Sequence, residues 1–115
     1  MKTSSAKAKG RRLQQEVQQA LLQTFDDLEA DDIKVAIMGE SGEDVKFSPA
    51  ARRKFPYSIE CKNVEKLNIW GALKQAEDNA KTHKPLLVFK RNRSKTYVAL
   101  EMEDFLKLYK PESTT

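Results

Sequence analysis

The sequence predicts a single α/β domain built on a central mixed β-sheet of about five strands flanked by helices. Three observations predict it. Apolar residues recur at helical spacing in two long segments, short runs alternate with a period of two, and 39% of the 115 residues are hydrophobic. That content supports one core and leaves no room for two. The elements follow in the order helix, three strands, helix, two strands, helix, which is how helices come to layer on a sheet.

Residues 1–8 are small, polar and basic and read as a flexible basic arm, with one domain over 9–110 and a polar tail at 111–115. From about Lys9 to Leu28, the set Leu13, Val17, Ala20, Leu21, Phe25 and Leu28 forms one broad helical stripe, with Glu16 just outside its edge. Ile33, Val35 and Ile37 alternate with Lys34 and Ala36 as a first strand, and glycines 39 and 42 mark a loop. DVKFS is a second short strand with Val45 and Phe47 on one face, hence Asp44 and Lys46 on the other. Ser48-Pro49 ends it, and AARRK reads as a basic linker.

PYSIECK is the third strand. Its period places Tyr57, Ile59 and Cys61 on one face and Ser58, Glu60 and Lys62 on the opposite face. Asn68 caps a helix from Ile69 to about Thr82, with the stripe Ile69, Leu73, Ala76 and Ala80. LLVFK and TYVAL pair around the turn RNRS, and a short helix near Met102–Tyr109 follows.

Composition narrows the function classes. No apolar run approaches the roughly 20 residues of a membrane helix, and no apolar stretch follows the basic N-terminus as a signal peptide requires. The single cysteine, Cys61, has no internal disulfide partner, so a reducing, cytoplasmic setting is expected. The net charge of +4 is unevenly spread: residues 1–12 hold five cations and no acid, residues 26–44 hold eight acids against Lys34, and residues 46–110 are again basic. Basic clusters suit a phosphate backbone, whereas an acidic stretch between them suits a metal ion better than plain DNA binding. The expected contacts to DNA are Lys7, Lys9, Arg11 and Arg12, then Arg52, Arg53 and Lys54, then Arg91 and Arg93. Any one such cluster can equally be a solvated surface.

The chemistry-bearing pattern is Glu60 and Lys62, two apart on one strand face, with Asp44 opening the preceding strand. Two carboxylates form a hard oxygen site for Mg²⁺, and a nearby ammonium can orient water or offset developing charge. Glu-X-Lys is common and usually just solvated. Here an apolar opposite face, an acid on the preceding strand and a following amphipathic helix favour chemistry. His83 is the only histidine, which leaves no histidine metal site or serine triad. Cys61 faces the core without a histidine partner, so a thiol nucleophile is not expected. Trp70 reads as core or interface.

The segments GEDVKFS, SIECKN and NIWGALKQA together resemble the PD-(D/E)XK nuclease superfamily. The resemblance implies a restriction-endonuclease-like fold with Asp44, Glu60 and Lys62 as signature residues. It also implies a Mg²⁺ site, open to Mn²⁺, that includes the Cys61 carbonyl. KGRRLQQEVQQAL looks like the first helix of archaeal-type Holliday junction resolvases, which nominates Glu16 as a further metal-site acid. MGESGED resembles their serine-containing loop and nominates Ser41, and Gln75 falls where some relatives place a site glutamine. The position before the signature aspartate, usually proline, is Glu43 here; strand phase favours Asp44 as the ligand. A metal-dependent endonuclease, most closely a junction resolvase acting on four-way DNA as a homodimer, is the implied function. The rivals are a nuclease for linear or damaged DNA and a non-catalytic nucleic-acid-binding module.

Overall fold

The computed structural model describes residues 3–37 and 39–110; the ends of the expected arm and the expected tail at 111–115 lie outside them. Helix α1 (Thr3–Thr24) leads to a single 3-10 turn, then strands β1 (Ile33–Val35) and β2 (Val45–Phe47), helix α2 (Pro49–Lys54) and strand β3 (Tyr57–Asn63). Helix α3 (Ile69–Ala80), strands β4 (Lys84–Lys90) and β5 (Tyr97–Leu100) and helix α4 (Met102–Lys107) complete the chain. No helix among the described residues is long and apolar enough to cross a membrane.

Two helix boundaries differ from the sequence reading. Helix α1 begins at Thr3, so residues 3–8 are helical rather than a loose arm. Ala6, Lys7, Ala8 and Lys9 are strong helix formers that extend the helix without apolar periodicity. It stops at Thr24 instead of Leu28, since Asp26 and Asp27 would put negative charge against the negative end of the helix dipole. Residues expected as a basic linker form α2. Ser48 is its N-cap, accepting the Ala51 N–H at 3.1 Å, and Pro49 fits the first turn, where its missing N–H costs nothing.

The five strands form two sheets, not one. β1 and β2 make an antiparallel ribbon; β3, β4 and β5 make a mixed sheet in which β3 and β4 are parallel, joined through α3, and β4 and β5 are antiparallel. At the seam between the sheets the Asp44 N–H donates to the Ile59 carbonyl at 2.9 Å. The next strand donor, the Cys61 N–H, goes to the Asp44 side chain at 2.7 Å. A carboxylate occupies the place a backbone carbonyl would need, so the ladder does not continue. This break positions the site.

The two faces of β3 are both covered. Tyr57, Ile59 and Cys61 pack with Leu13 and Val17 of α1, Ile33, Val45, Leu86 and Val88. Ser58 and Glu60 on the other face are buried with Leu87 and α3. Helix α3 turns Ala72, Ala76 and Ala80 inward, while Ile69 is exposed and Leu73 half-buried, so the expected Ile69–Leu73 stripe is rotated. Alanines let the helix approach the sheet closely, and the Asn68 side chain caps it by accepting the Gly71 N–H at 3.1 Å.

Candidate active site

Strand parity and the seam bring Asp44, Glu60 and Lys62 together. Glu60 is only 3% exposed. A carboxylate that deep needs partners. Its Oε1 accepts from the Asn79 amide at 3.0 Å, and its Oε2 lies 3.7 Å from the Lys62 ammonium. Asp44 reaches from the start of β2 and is held by the Cys61 N–H. Burial raises the Asp44 carboxyl above its usual range, against the lowering effects of the Cys61 N–H and nearby Lys62. Burial also raises Glu60, and the Asp44 charge beside it raises it further. Two desolvated acids facing one another resist joint ionisation. A divalent cation between them would relieve that resistance.

The donor set fits a hard cation. Asp44 and Glu60 supply carboxylate oxygens, and the Cys61 carbonyl leaves β3 on the same edge as its N–H, toward Asp44. Mg²⁺ needs few protein ligands because it keeps waters and takes phosphate oxygens. Among the described residues, no group of three or more acidic, histidine or cysteine side chains converges as a ready-made cage. Glu16 explains part of this. It is exposed on the flank of α1, and its Oε2 accepts from the Thr96 hydroxyl at 2.7 Å. It nevertheless lies close enough to act, with Asp44 and Glu60, on the Cys61 thiol, which burial first and these charges next push far up in pKa. A thiol so shifted is no nucleophile.

The remaining expected residues separate into groups. Ser41 is exposed in the loop, and its carbonyl accepts from the Lys46 ammonium at 3.2 Å. Gln75 points to solvent; the rotation of α3 brings Asn79, one turn later, to Glu60 instead. Lys7 and Arg11 line a cleft of about 260 Å³ that ends at Asp44. Gly10, on the same wall, has no heavy atom of the described residues within 4 Å of where a Cβ would stand. Arg12 and Arg93 line a second recess with Lys9, which is largely buried and 3.7 Å from Glu65. Arg91 and Arg53 are exposed, and Lys54 pairs with Asp27 at 2.7 Å.

Arg52, expected on the DNA side, is engaged within the fold. Its guanidinium pairs with Glu43, donates to the Tyr57 carbonyl and lies 4.7 Å from the Phe47 ring centroid. That engagement also separates Glu43 from Asp44: Glu43 belongs to Arg52, and Asp44 to the Cys61–Glu60 site. Sequence reasoning missed two residues. Asn79 sits beside Ala76 and Ala80 on the inward face of α3, a polar residue where only a buried acceptor would justify one. Lys46 shares the Asp44 side of β2 and lowers the Asp44 carboxyl, while bridging Glu40 at 3.6 Å.

A sequence-family model described as "Phage putative PDDEXK endonuclease" matches residues 5–114. No curated protein and no solved structure matches the chain.

Proposed function

The chain belongs to this family of phage PDDEXK endonucleases, and from that premise we propose that it hydrolyses DNA phosphodiester bonds with a divalent cation held by Asp44, Glu60 and the Cys61 carbonyl. Mg²⁺ suits the all-oxygen donor set, with Mn²⁺ able to substitute. The observation that carries this reading is a buried Glu60 and a half-buried Asp44 with a lysine beside them at the seam of two sheets.

An ion held there would supply charge to offset that of the phosphodiester transition state and would lower the pKa of a coordinated water. Asp44 and Glu60 hold the site on two different sheets. Asn79 fixes one Glu60 oxygen and leaves the other toward Lys62. Lys62 orients the attacking water and meets the charge that develops on phosphate. Glu16 supports the site from the flank of α1, and Ser41, through Lys46, steadies the loop that leads into Asp44. Lys7, Arg11, Arg12, Arg91 and Arg93 bind the backbone, with Arg53 and Lys54, the latter paired with Asp27, contributing less.

The substrate we propose is the four-way junction, cut by a homodimer whose two sites match its near two-fold symmetry. Trp70, Leu106, Leu108 and Tyr109 are all exposed and offer apolar material for the interface. The test is incubation of the purified chain with labelled four-way and linear DNA, with and without Mg²⁺. Metal-dependent nicking of the junction ahead of linear duplex is expected, and Glu60→Gln and Lys62→Ala should each lower it at least a hundredfold. Equal cutting of linear duplex by a monomer would remove the resolvase assignment. Binding without metal-dependent cleavage would remove the nuclease assignment itself.

A further inference from the structure

We propose that the recess between α1 and the β4–β5 turn binds one backbone phosphate of the nucleic acid, flanking the phosphate that is cut. The proposal rests on the nuclease reading and goes beyond it by assigning a second anion site. The recess has a volume of about 290 Å³ and is lined by Lys9, Arg12, Lys90 and Arg93 with the side chains of Asn63 and Asn92. Arg12, Lys90 and Arg93 face one carboxylate, Glu16, whose Oε2 already accepts from Thr96, while Lys9 is paired with Glu65. Such a balance attracts an anion, and the Asn92 side-chain amide can complete its hydrogen bonds.

The recess is built. Glu65 accepts the Asn92 N–H at 2.6 Å and holds the Lys9 ammonium at 3.7 Å, so one acid outside the lining sets a turn residue and a cation together. The Asn63 amide donates to the Lys9 carbonyl at 3.3 Å, tying β3 to α1. The turn itself is closed by the Ser94 hydroxyl, which accepts the Arg91 N–H at 3.0 Å.

Arg93 carries the argument furthest. Its φ of 64° is left-handed, a conformation glycine adopts freely and arginine adopts against a steric penalty. A hairpin turn gains nothing from arginine there, whereas an anion site gains a cation on its wall. The place of the recess fits a flanking phosphate. Glu16 is shared between its wall and the surroundings of Cys61, and Asn63 is two residues along β3 from Cys61, about 7 Å.

The decisive variant is Arg93→Gly in the full chain, made in a Glu60→Gln background without divalent metal, so that only binding is read. Its melting temperature should equal or exceed that of the parent, because glycine suits the backbone. Its affinity for labelled duplex and four-way DNA should fall about tenfold, with the slope of log affinity against log salt shallower by about one. Arg12→Ala should reproduce the loss. In a second arm, inorganic phosphate is titrated into the isotope-labelled protein, and the side-chain amide signals of Asn63 and Asn92 should shift. DNA affinity and salt slope unchanged in Arg93→Gly would overturn the proposal. Phosphate shifts without any loss of DNA affinity would also overturn it, by making the recess a site for a free anion. Failure of the nuclease reading looks different: DNA binding would keep its Arg93 dependence while the wild-type chain cleaved nothing in Mg²⁺ or Mn²⁺.

Discussion

The basic cluster of α2 and the basic turn between β4 and β5 carry similar charge and are neutralised to different extents. In α2, Arg52 is spent on Glu43, the Tyr57 carbonyl and the Phe47 ring, and Lys54 on Asp27. At the turn, Arg93 and Lys90 line a recess, and neither belongs to an ion pair among the described residues. The difference comes from acid placement. The 26–44 stretch folds against α2, while the acids near the turn are engaged elsewhere, Glu65 with Lys9 and a backbone N–H and Glu16 with the Thr96 hydroxyl. Cation density along a chain therefore measures attraction for phosphate only after the neighbouring acids have taken their share.

The largest effect that would sharpen this contrast is on stability. Arg52→Ala should destabilise the fold by about 3 kcal/mol, since it strands the Glu43 carboxylate in a site where the side chain is only 16% exposed. Chemical denaturation reads this directly, and a loss below about 1 kcal/mol would break the assignment of Arg52 to structure. Next comes binding. Reversing Arg91 and Arg93 together should weaken DNA binding by roughly 10–100-fold at moderate salt, with reversal of Arg53 and Lys54 costing clearly less. Equal losses would erase the distinction between the clusters.

A smaller effect belongs to the acid pair lying between them. Asp44 and Glu60 both have raised pKa values, so the folded state favours their protonated forms. Their contribution is fully present below the ordinary values of 3.8 and 4.5 and is lost as pH rises through the raised ones. Asp27 and Asp32 are lowered and act oppositely, but only as pH falls below 3.8. Between mildly acidic and neutral pH the metal-free protein should therefore lose melting temperature. Glu60→Gln should remove most of that slope and melt roughly 5 °C higher at neutral pH. Added Mg²⁺ should recover the loss in wild type and not in the variant. The smallest expected change is for Lys54→Ala, whose pair with Asp27 is solvent-exposed and whose melting temperature should not move measurably.

Much of this was legible in residue order. The period of two in PYSIECK placed Glu60 and Lys62 on one face, and Asn68 announced α3. What local pattern could not supply was the rotation of α3. Ile69 and Leu73 outrank alanine in apolarity, yet the face under the helix holds a buried carboxylate, and Asn79 beside small alanines meets it better. The same limit hid the Glu43–Arg52 pair, because partners nine residues apart are joined only when β2 and α2 fold on each other. Ser48-Pro49 was a different case: its capping chemistry was visible and reads equally as a strand end or a helix start.

The seam between the sheets has a consequence for the order in which the molecule opens. The β1–β2 ribbon meets β3 through the Asp44 N–H and the Asp44 carboxylate, while Glu60 and Lys62 belong to the longer β3–β4–β5 sheet. Segments joined by few bonds exchange their amides as separate cooperative units, at free energies below that of global unfolding. We expect the ribbon to open as such a unit once Ile33 and Val45 leave the core, carrying one half of the acid pair with it. Amide exchange at Ala36 and Ser48 should thus be faster than at Glu60 or Leu87. Warming should disassemble the acid pair while the larger sheet, its buried glutamate and the helix above it are still folded.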